Sequence, residues 1–225
     1  MALLKKSKDN SEKSSVMNVA TVDFRSYTPQ ALEGIKLLNA ATVFLPKNPT
    51  PEFTESYARI RKNVATELYI DGDVQISTVN GVSVIDETAS ENNNIYFING
   101  VALIKKQVSD NPISIMTNGV TIWEKGTKIN SLSNNGIVAE IEFKAEHIKF
   151  FPARCEFDKE FIEMLKENTV VLCGGRVIFE KDVTGKSLLE KNIYFAVGGR
   201  ISCDKSIKSA VQMVCTAGGK IADEK

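Results

Sequence analysis

The chain has 225 residues, 43% of them hydrophobic, and its 28 basic and 28 acidic side chains cancel to a formal net charge of zero. This composition is typical of an ordered protein and excludes a disordered or fibrous chain. A balanced charge also excludes a global field that would attract nucleic acid, so we see no clear nucleic-acid signal and expect such binding only at a local patch. No run of about 18 apolar residues occurs, so we expect neither a membrane span nor a secretory leader, and we predict a cytoplasmic protein.

The N-terminus is polar and rich in lysine and serine, MALLKKSKDNSEKSSVMN. Its few apolar side chains cannot support packing, so residues 1–18 are predicted to form a disordered polar tail. Residues 19–225 contain no stretch that resembles a linker between domains. They are predicted to form one repeat domain.

Short helices are predicted near both ends of this domain. Thr28 and Thr50 are each followed by proline, which gives an N-cap threonine with proline at the first helical position. Each predicted helix then passes through asparagine into a β-branched strand. Asp158 caps a third helix, and two shorter copies, TGKSLLEKNIYFAVGG and DKSIKSAVQMVCTAGG, follow it.

The rest of the chain repeats one pattern, an apolar segment, then Asn-Gly or Gly-Gly, then a second apolar segment. Even the tetrapeptide NIYF occurs twice, at 94–97 and 192–195. The predicted structural turns, each taken at its last glycine, are Gly81, Gly100, Gly119, Gly136, Gly175, Gly199 and Gly219. They recur at intervals of about 20 residues, and the longer gap between Gly136 and Gly175 has the length of two such intervals.

A period of about 20 residues with two β-rich segments per unit is typical of a chain that coils and stacks each turn on the last. We therefore predict a mainly β, single-domain β-solenoid of about 20 residues per turn, with short α-helices inserted in its N-terminal and C-terminal turns. Connections between parallel strands are generally right-handed, so we predict a right-handed β-helix. Asn-Gly is also the strongest short signal for a hairpin, so an antiparallel meander is the alternative.

Residues suited to catalysis are few. His147 is the only histidine, which excludes most histidine-dependent triads and metal sites. The four cysteines match neither zinc nor disulfide spacing and are predicted to be free core residues. We expect no cofactor and no metal.

Acidic side chains cluster at Asp71 and Asp73 and at Asp86 and Glu87. Grouped acids in a groove are the pattern of a carbohydrate-active enzyme, which needs two carboxylates about 5–10 Å apart. Ordinary turn chemistry explains the same residues, because Asp-Gly is a common turn. An enzyme is therefore the weakest of three hypotheses.

A basic residue follows the double glycine in the last three units, at Arg176, Arg200 and Lys220. The earlier units have valine there, at 82, 101 and 120. If the turns stack in register, about 4.8 Å apart, the three cations form a row that can hold an acidic macromolecule, a phosphate polymer or a carboxylated glycan. A row that only faces water is the alternative.

The repeats, the scarcity of catalytic side chains and a thin C-terminal cap, GGKIADEK, favour a non-catalytic structural or assembly protein that self-associates through the ends or faces of its coil. In outline the chain resembles the bactofilin type of bacterial β-helical filament protein, which has a short basic tail ahead of a glycine-punctuated coil. This resemblance is of architecture, and no functional residue is taken from it. The second hypothesis is a monomeric module that binds an acidic partner along the basic row.

Overall fold

The computed structural model describes residues 14–16 and 19–223 of the chain. The protein is mainly β with a few short helices, as the sequence predicts. It divides into two compact units, Met1–Val74 and Gln75–Lys225, while the single domain predicted for residues 19–225 stays a prediction. The predicted disordered tail lies outside the described residues, apart from one short strand at Ser14–Val16.

The described part of the first unit contains parallel strands and two helices. Strand β1 pairs with β3, and a second sheet has the order β2-β4-β5. The bounds are β1 (Ser14–Val16), β2 (Val19–Asp23), α1 (Pro29–Leu32), β3 (Ile35–Leu37), β4 (Ala40–Pro46), α2 (Pro51–Ile60) and β5 (Val64–Ile70).

Local sequence explains where these helices begin and where β5 follows. The Thr28 hydroxyl accepts a hydrogen bond from the Ala31 N–H, and Thr50 does the same for Phe53, which confirms both predicted N-caps. Asn63 adopts a positive φ of 51° just before β5, a conformation that asparagine tolerates better than most residues.

The second unit begins with six strands that form one bent parallel sheet, which we call the first stack. Its order is β10-β8-β7-β9-β11, and β6 pairs with β7 along its whole length. The bounds are β6 (Gln75–Ile85), β7 (Asn94–Ile104), β8 (Ile113–Thr117), β9 (Val120–Glu124), β10 (Ile129–Asn134) and β11 (Ile137–Ile141), with a 3₁₀ turn at Ala89–Glu91.

The remaining residues form the second stack, in which two strands and a helix alternate. Two four-stranded parallel sheets result, β12-β14-β16-β18 and β13-β15-β17-β19. The bounds are β12 (His147–Phe151), β13 (Arg154–Phe157), α3 (Lys159–Met164), β14 (Thr169–Cys173), β15 (Arg176–Phe179), α4 (Gly185–Leu189), β16 (Tyr194–Val197), β17 (Ile201–Cys203), a 3₁₀ turn at Lys205–Ile207, α5 (Lys208–Val214), β18 (Cys215–Ala217) and β19 (Ile221–Asp223).

Every strand pair in the described part of the chain is parallel. The antiparallel meander is therefore wrong. Asn-Gly does not close hairpins here: Gly81 and Gly100 lie inside β6 and β7 and are register partners. The other five predicted turn glycines lie in bends between consecutive strands.

Close approach of successive bends explains why glycine recurs. A Cβ atom added to Gly100 would lie 2.0 Å from the Gly81 carbonyl oxygen, and one added to Gly199 would lie 2.4 Å from that of Gly175. Neither distance leaves room for a side chain. The glycines of neighbouring turns lie directly on one another, so each turn that lies on a previous one requires glycine here.

The two stacks pack face to face through an apolar layer that contains Leu103, Ile122 and Leu172. Each valine that follows a glycine in the first stack meets the first glycine of a pair in the second. A Cβ added to Gly198 would lie 3.0 Å from Val101 Cγ2, and one added to Gly218 would lie 3.5 Å from Val120 Cγ2. This contact explains the sequence difference between the early and late units.

A buried ion pair holds the connection from β11 to β12. The Glu124 side chain is 2% exposed, and its Oε1 lies 2.6 Å from Lys105 Nζ. The same oxygen accepts from the Ala145 N–H at 2.8 Å, and Oε2 accepts from the Lys106 N–H at 2.8 Å. Lys105 Nζ also donates to the Ala145 carbonyl at 2.6 Å. The crossover between the stacks is therefore fixed to the end of β9.

Candidate functional site

The predicted basic row is brought together on the sheet β13-β15-β17-β19. The Val177 N–H donates to the Arg200 carbonyl, and the Ile201 N–H donates to the Lys220 carbonyl. Arg176 at the start of β15 is therefore in register with Arg200 and Lys220, which directly precede β17 and β19. Neighbouring strands lie about 4.8 Å apart, so the three cations stand roughly that far from one another.

The structure adds a fourth member that the sequence analysis missed. Arg154 is the register partner of Arg176, and the four residues Arg154, Arg176, Arg200 and Lys220 form what we call the basic column. Arg154 follows Pro152 and Ala153 instead of two glycines, so an alignment on glycine passed over it. Counting one turn back along the chain from Arg176 would have found it.

The four cations differ in how strongly the protein engages them. Arg154 forms an ion pair with Glu156. Arg176 lies half-buried, with Nη2 donating to Ser202 Oγ at 2.8 Å and Nε buried without a hydrogen-bond partner. Arg200 and Lys220 are exposed and have no ion pair within the described residues. The last two are therefore the cations most accessible to an acidic ligand.

A second candidate surface is the end of the second unit at which both stacks stop. Here β10, β11, β18 and β19 each pair on one side only, within residues 14–16 and 19–223. The bend at Gly218 and Gly219 is exposed at this end. Strand edges with unpaired N–H and C=O groups are templates for pairing with another chain.

The acidic clusters have local structural contacts. Asp71 forms an exposed ion pair with Lys47 at 2.7 Å, and the hydrogen bond to Asp71 raises the pKa of Lys47. The Asp86 carboxylate accepts from the N–H and the hydroxyl of Thr88. Such contacts are those of ordinary turns.

His147 lies on β12 and lines a pocket of about 300 Å³. The other lining residues are Glu146, Ile148, Lys149, Met164, Lys166 and Thr169. Among the residues that the structure describes, no group of three or more His, Cys, Asp or Glu side chains could hold a metal ion. No helix of the described part is long and apolar enough to cross a membrane.

The four cysteines, Cys155, Cys173, Cys203 and Cys215, are buried thiols outside any disulfide, as predicted. Two of them form a pair that the sequence analysis missed, since the Sγ atoms of Cys155 and Cys173 lie 3.6 Å apart. Their hydrogen bond lowers the pKa of Cys173 and raises that of Cys155. The pair lies inside the second stack, among its buried apolar side chains.

The described structure is thus that of a mainly β protein of parallel sheets, with a basic column on one sheet and open strand edges at one end. No family model, no curated protein and no solved structure matches the chain.

Proposed function

We propose that the protein is a non-catalytic structural or assembly protein, built on a β-solenoid, that self-associates through the open end of its stacks. The register between successive strands supports the coil. Gly81 pairs with Gly100, and Phe195 pairs with Cys215. A chain that returns to a parallel neighbour after about 20 residues makes one turn of a coil each time, and we take the coil to be right-handed.

The observation that carries the assembly function is the row of strand edges at the end formed by β10, β11, β18 and β19. Natural sheets protect their edges with charge, proline, bulges or a covering segment. Terminal units of repeat proteins usually carry a polar cap. Edge strand β10 has one register shift, between Ser131 and Ser133, but the described residues at this end also include the exposed apolar side chains Leu132 and Ile137, which do not protect an edge.

Sedimentation velocity across a wide concentration range, with electron microscopy of the most concentrated sample, tests this function. We expect a species larger than the monomer whose fraction grows with concentration. A monomer at every concentration would reject the assembly function.

A second candidate function has its own supporting observation, since Arg154 extends the predicted row to four cations over roughly 14 Å, at about 4.8 Å per strand. This column suits a chain of carboxylates. The double variant Arg200→Glu, Lys220→Glu, which changes the two exposed cations of the column, should then lose binding to polyglutamate, and binding by the unmodified protein should weaken as salt rises. The variant Lys36→Glu, Lys62→Glu changes two exposed lysines of the first unit and is the control of equal charge. Equal affinity of all three proteins would remove this candidate.

A further inference from the structure

One position of the repeat is buried in successive turns and then exposed in the last. Val101, Val120 and Ile137 are register partners in β7, β9 and β11. The two valines are 0% exposed, whereas Ile137 is 41% exposed. All three occupy the same face of their sheet.

The cause is a difference in height between the two stacks. Gly198 lies against Val101 and Gly218 lies against Val120. Gly219 and Lys220 lead from there into β19, so no further double glycine of the described residues lies against Ile137. At this end the first stack therefore has one strand, β11, beyond the level of β18. We call the exposed Ile137 together with the free edge of β18 the step.

Head-to-tail growth would fill the step with the first turn of another copy, but that turn has the wrong residues. Its bend is Pro152-Ala153, where the later bends have two glycines. In the later bends the first glycine donates its N–H to the preceding turn, from Gly198 to Cys173 and from Gly218 to Val197, each at 2.8 Å. Proline has no N–H to donate.

The alanine is unsuitable as well. A Cβ at the second glycine position meets the carbonyl of the turn below, since a Cβ added to Gly199 would lie 2.4 Å from the Gly175 oxygen. Ala153 placed on the Gly219 bend of another copy would bring its Cβ into the same conflict. Parallel stacking of β12 and β13 on β18 and β19 of another copy is thus opposed twice.

A two-fold arrangement avoids both conflicts. Where the stacks meet, β9 begins at Val120 and β18 ends just before Gly218, so the facing strands run in opposite directions. Rotation of a second copy by 180° about an axis parallel to the strands keeps the direction of each strand and reverses the direction in which the strands are stacked, so that the two open ends face each other. It places β11 of each copy on the edge of β18 of the other, antiparallel, with Ile137 facing Ile137 of the second copy.

We propose that the step is a homodimer interface at which two copies of this chain close two-fold, with Ile137 at the axis. This inference rests on the proposed assembly function and restricts it to a closed dimer. Isologous contacts of this kind use the same patch on both copies and end the assembly at two subunits.

A cysteine cross-link at the axis tests the geometry directly. In the full chain, Ile137→Cys should form a disulfide-linked dimer under mild copper-phenanthroline oxidation, visible on a non-reducing gel. Val108 is 73% exposed in a loop away from the step, so Val108→Cys is the control and should stay monomeric on the gel.

Two further variants separate the possible failures. Ile137→Asp should shift the monomer–dimer midpoint at least tenfold to higher concentration, while Val108→Asp should leave it unchanged, with thermal melts of both variants checking that the fold is intact. Pro152→Gly, Ala153→Gly should allow open-ended growth in the microscope. If the unmodified protein assembles but Ile137→Cys does not cross-link, or if the unmodified protein forms filaments, the two-fold dimer is wrong and the assembly function stands. If the unmodified protein is a monomer at every concentration, both proposals are wrong.

Discussion

Replacement of Glu124 by alanine is expected to destabilise the second unit by about 3–5 kcal/mol, because removing one partner leaves a buried charge uncompensated. The variant leaves the Lys105 ammonium, whose side chain is 16% exposed, with only the Ala145 carbonyl. It also leaves two backbone N–H groups, those of Lys106 and Ala145, without their acceptor. Domains are stable by about 5–15 kcal/mol, so this single change consumes a large share of the total.

Urea unfolding followed by circular dichroism measures this loss, with concentration held constant so that assembly does not contribute. Glu124→Gln keeps one acceptor oxygen and should cost about 1–3 kcal/mol. Asp110 forms an exposed ion pair with Lys128, so Asp110→Ala should cost less than about 1 kcal/mol. A loss below about 1 kcal/mol for Glu124→Ala would refute the assignment of this pair as the anchor of the crossover.

Three further outcomes are expected from stability measurements. Gly198→Ala should destabilise the protein by at least about 1–3 kcal/mol, because its Cβ would lie 2.6 Å from the Gly174 oxygen. Gly34→Ala is the control and should be neutral or stabilising, because no atom lies within 4 Å of the added Cβ. Equal melting temperatures of the two variants would contradict the close-approach argument. Thr50→Ala should cost about 1 kcal/mol in urea unfolding through loss of the α2 cap, and a change within error would show that the cap is dispensable. Burial raises the pKa of Cys215 well above its ordinary 9.0. The contribution of this thiol to the free energy of unfolding is therefore complete below pH 9 and is lost as pH rises further, at up to about 1.4 kcal/mol per pH unit. Cys215→Ala should flatten this decline, and parallel stability–pH curves for the two proteins would disprove it.

Local signals in the sequence were sufficient for the helix caps. Thr28, Thr50 and Asp158 each cap a helix, since a side-chain oxygen three residues before an N–H is a purely local arrangement. The glycine spacing likewise matches the separation of register partners such as Gly81 and Gly100. Parallel pairing agrees with the preference for a coil over a meander.

Long-range features escaped the sequence analysis for a physical reason. The face-to-face packing of Val101 on Gly198 joins residues that lie far apart in the sequence, and neither residue indicates its partner. Arg154 was missed because its turn lies at the end of the second stack, where close approach from below no longer requires glycine. The exposure of Ile137 follows only from the difference in height between the stacks, which no single repeat encodes.

The valine-to-glycine contacts between the stacks also restrict how a chain of this kind can change in length. Duplication of one turn in the first stack alone would displace each later valine from its glycine, and a methyl group would then face a bend one turn away. Insertions must therefore come in pairs, one in each stack and at distant places in the sequence. A change in length inside the stacks therefore requires two insertions at once, which opposes growth by one strand at a time.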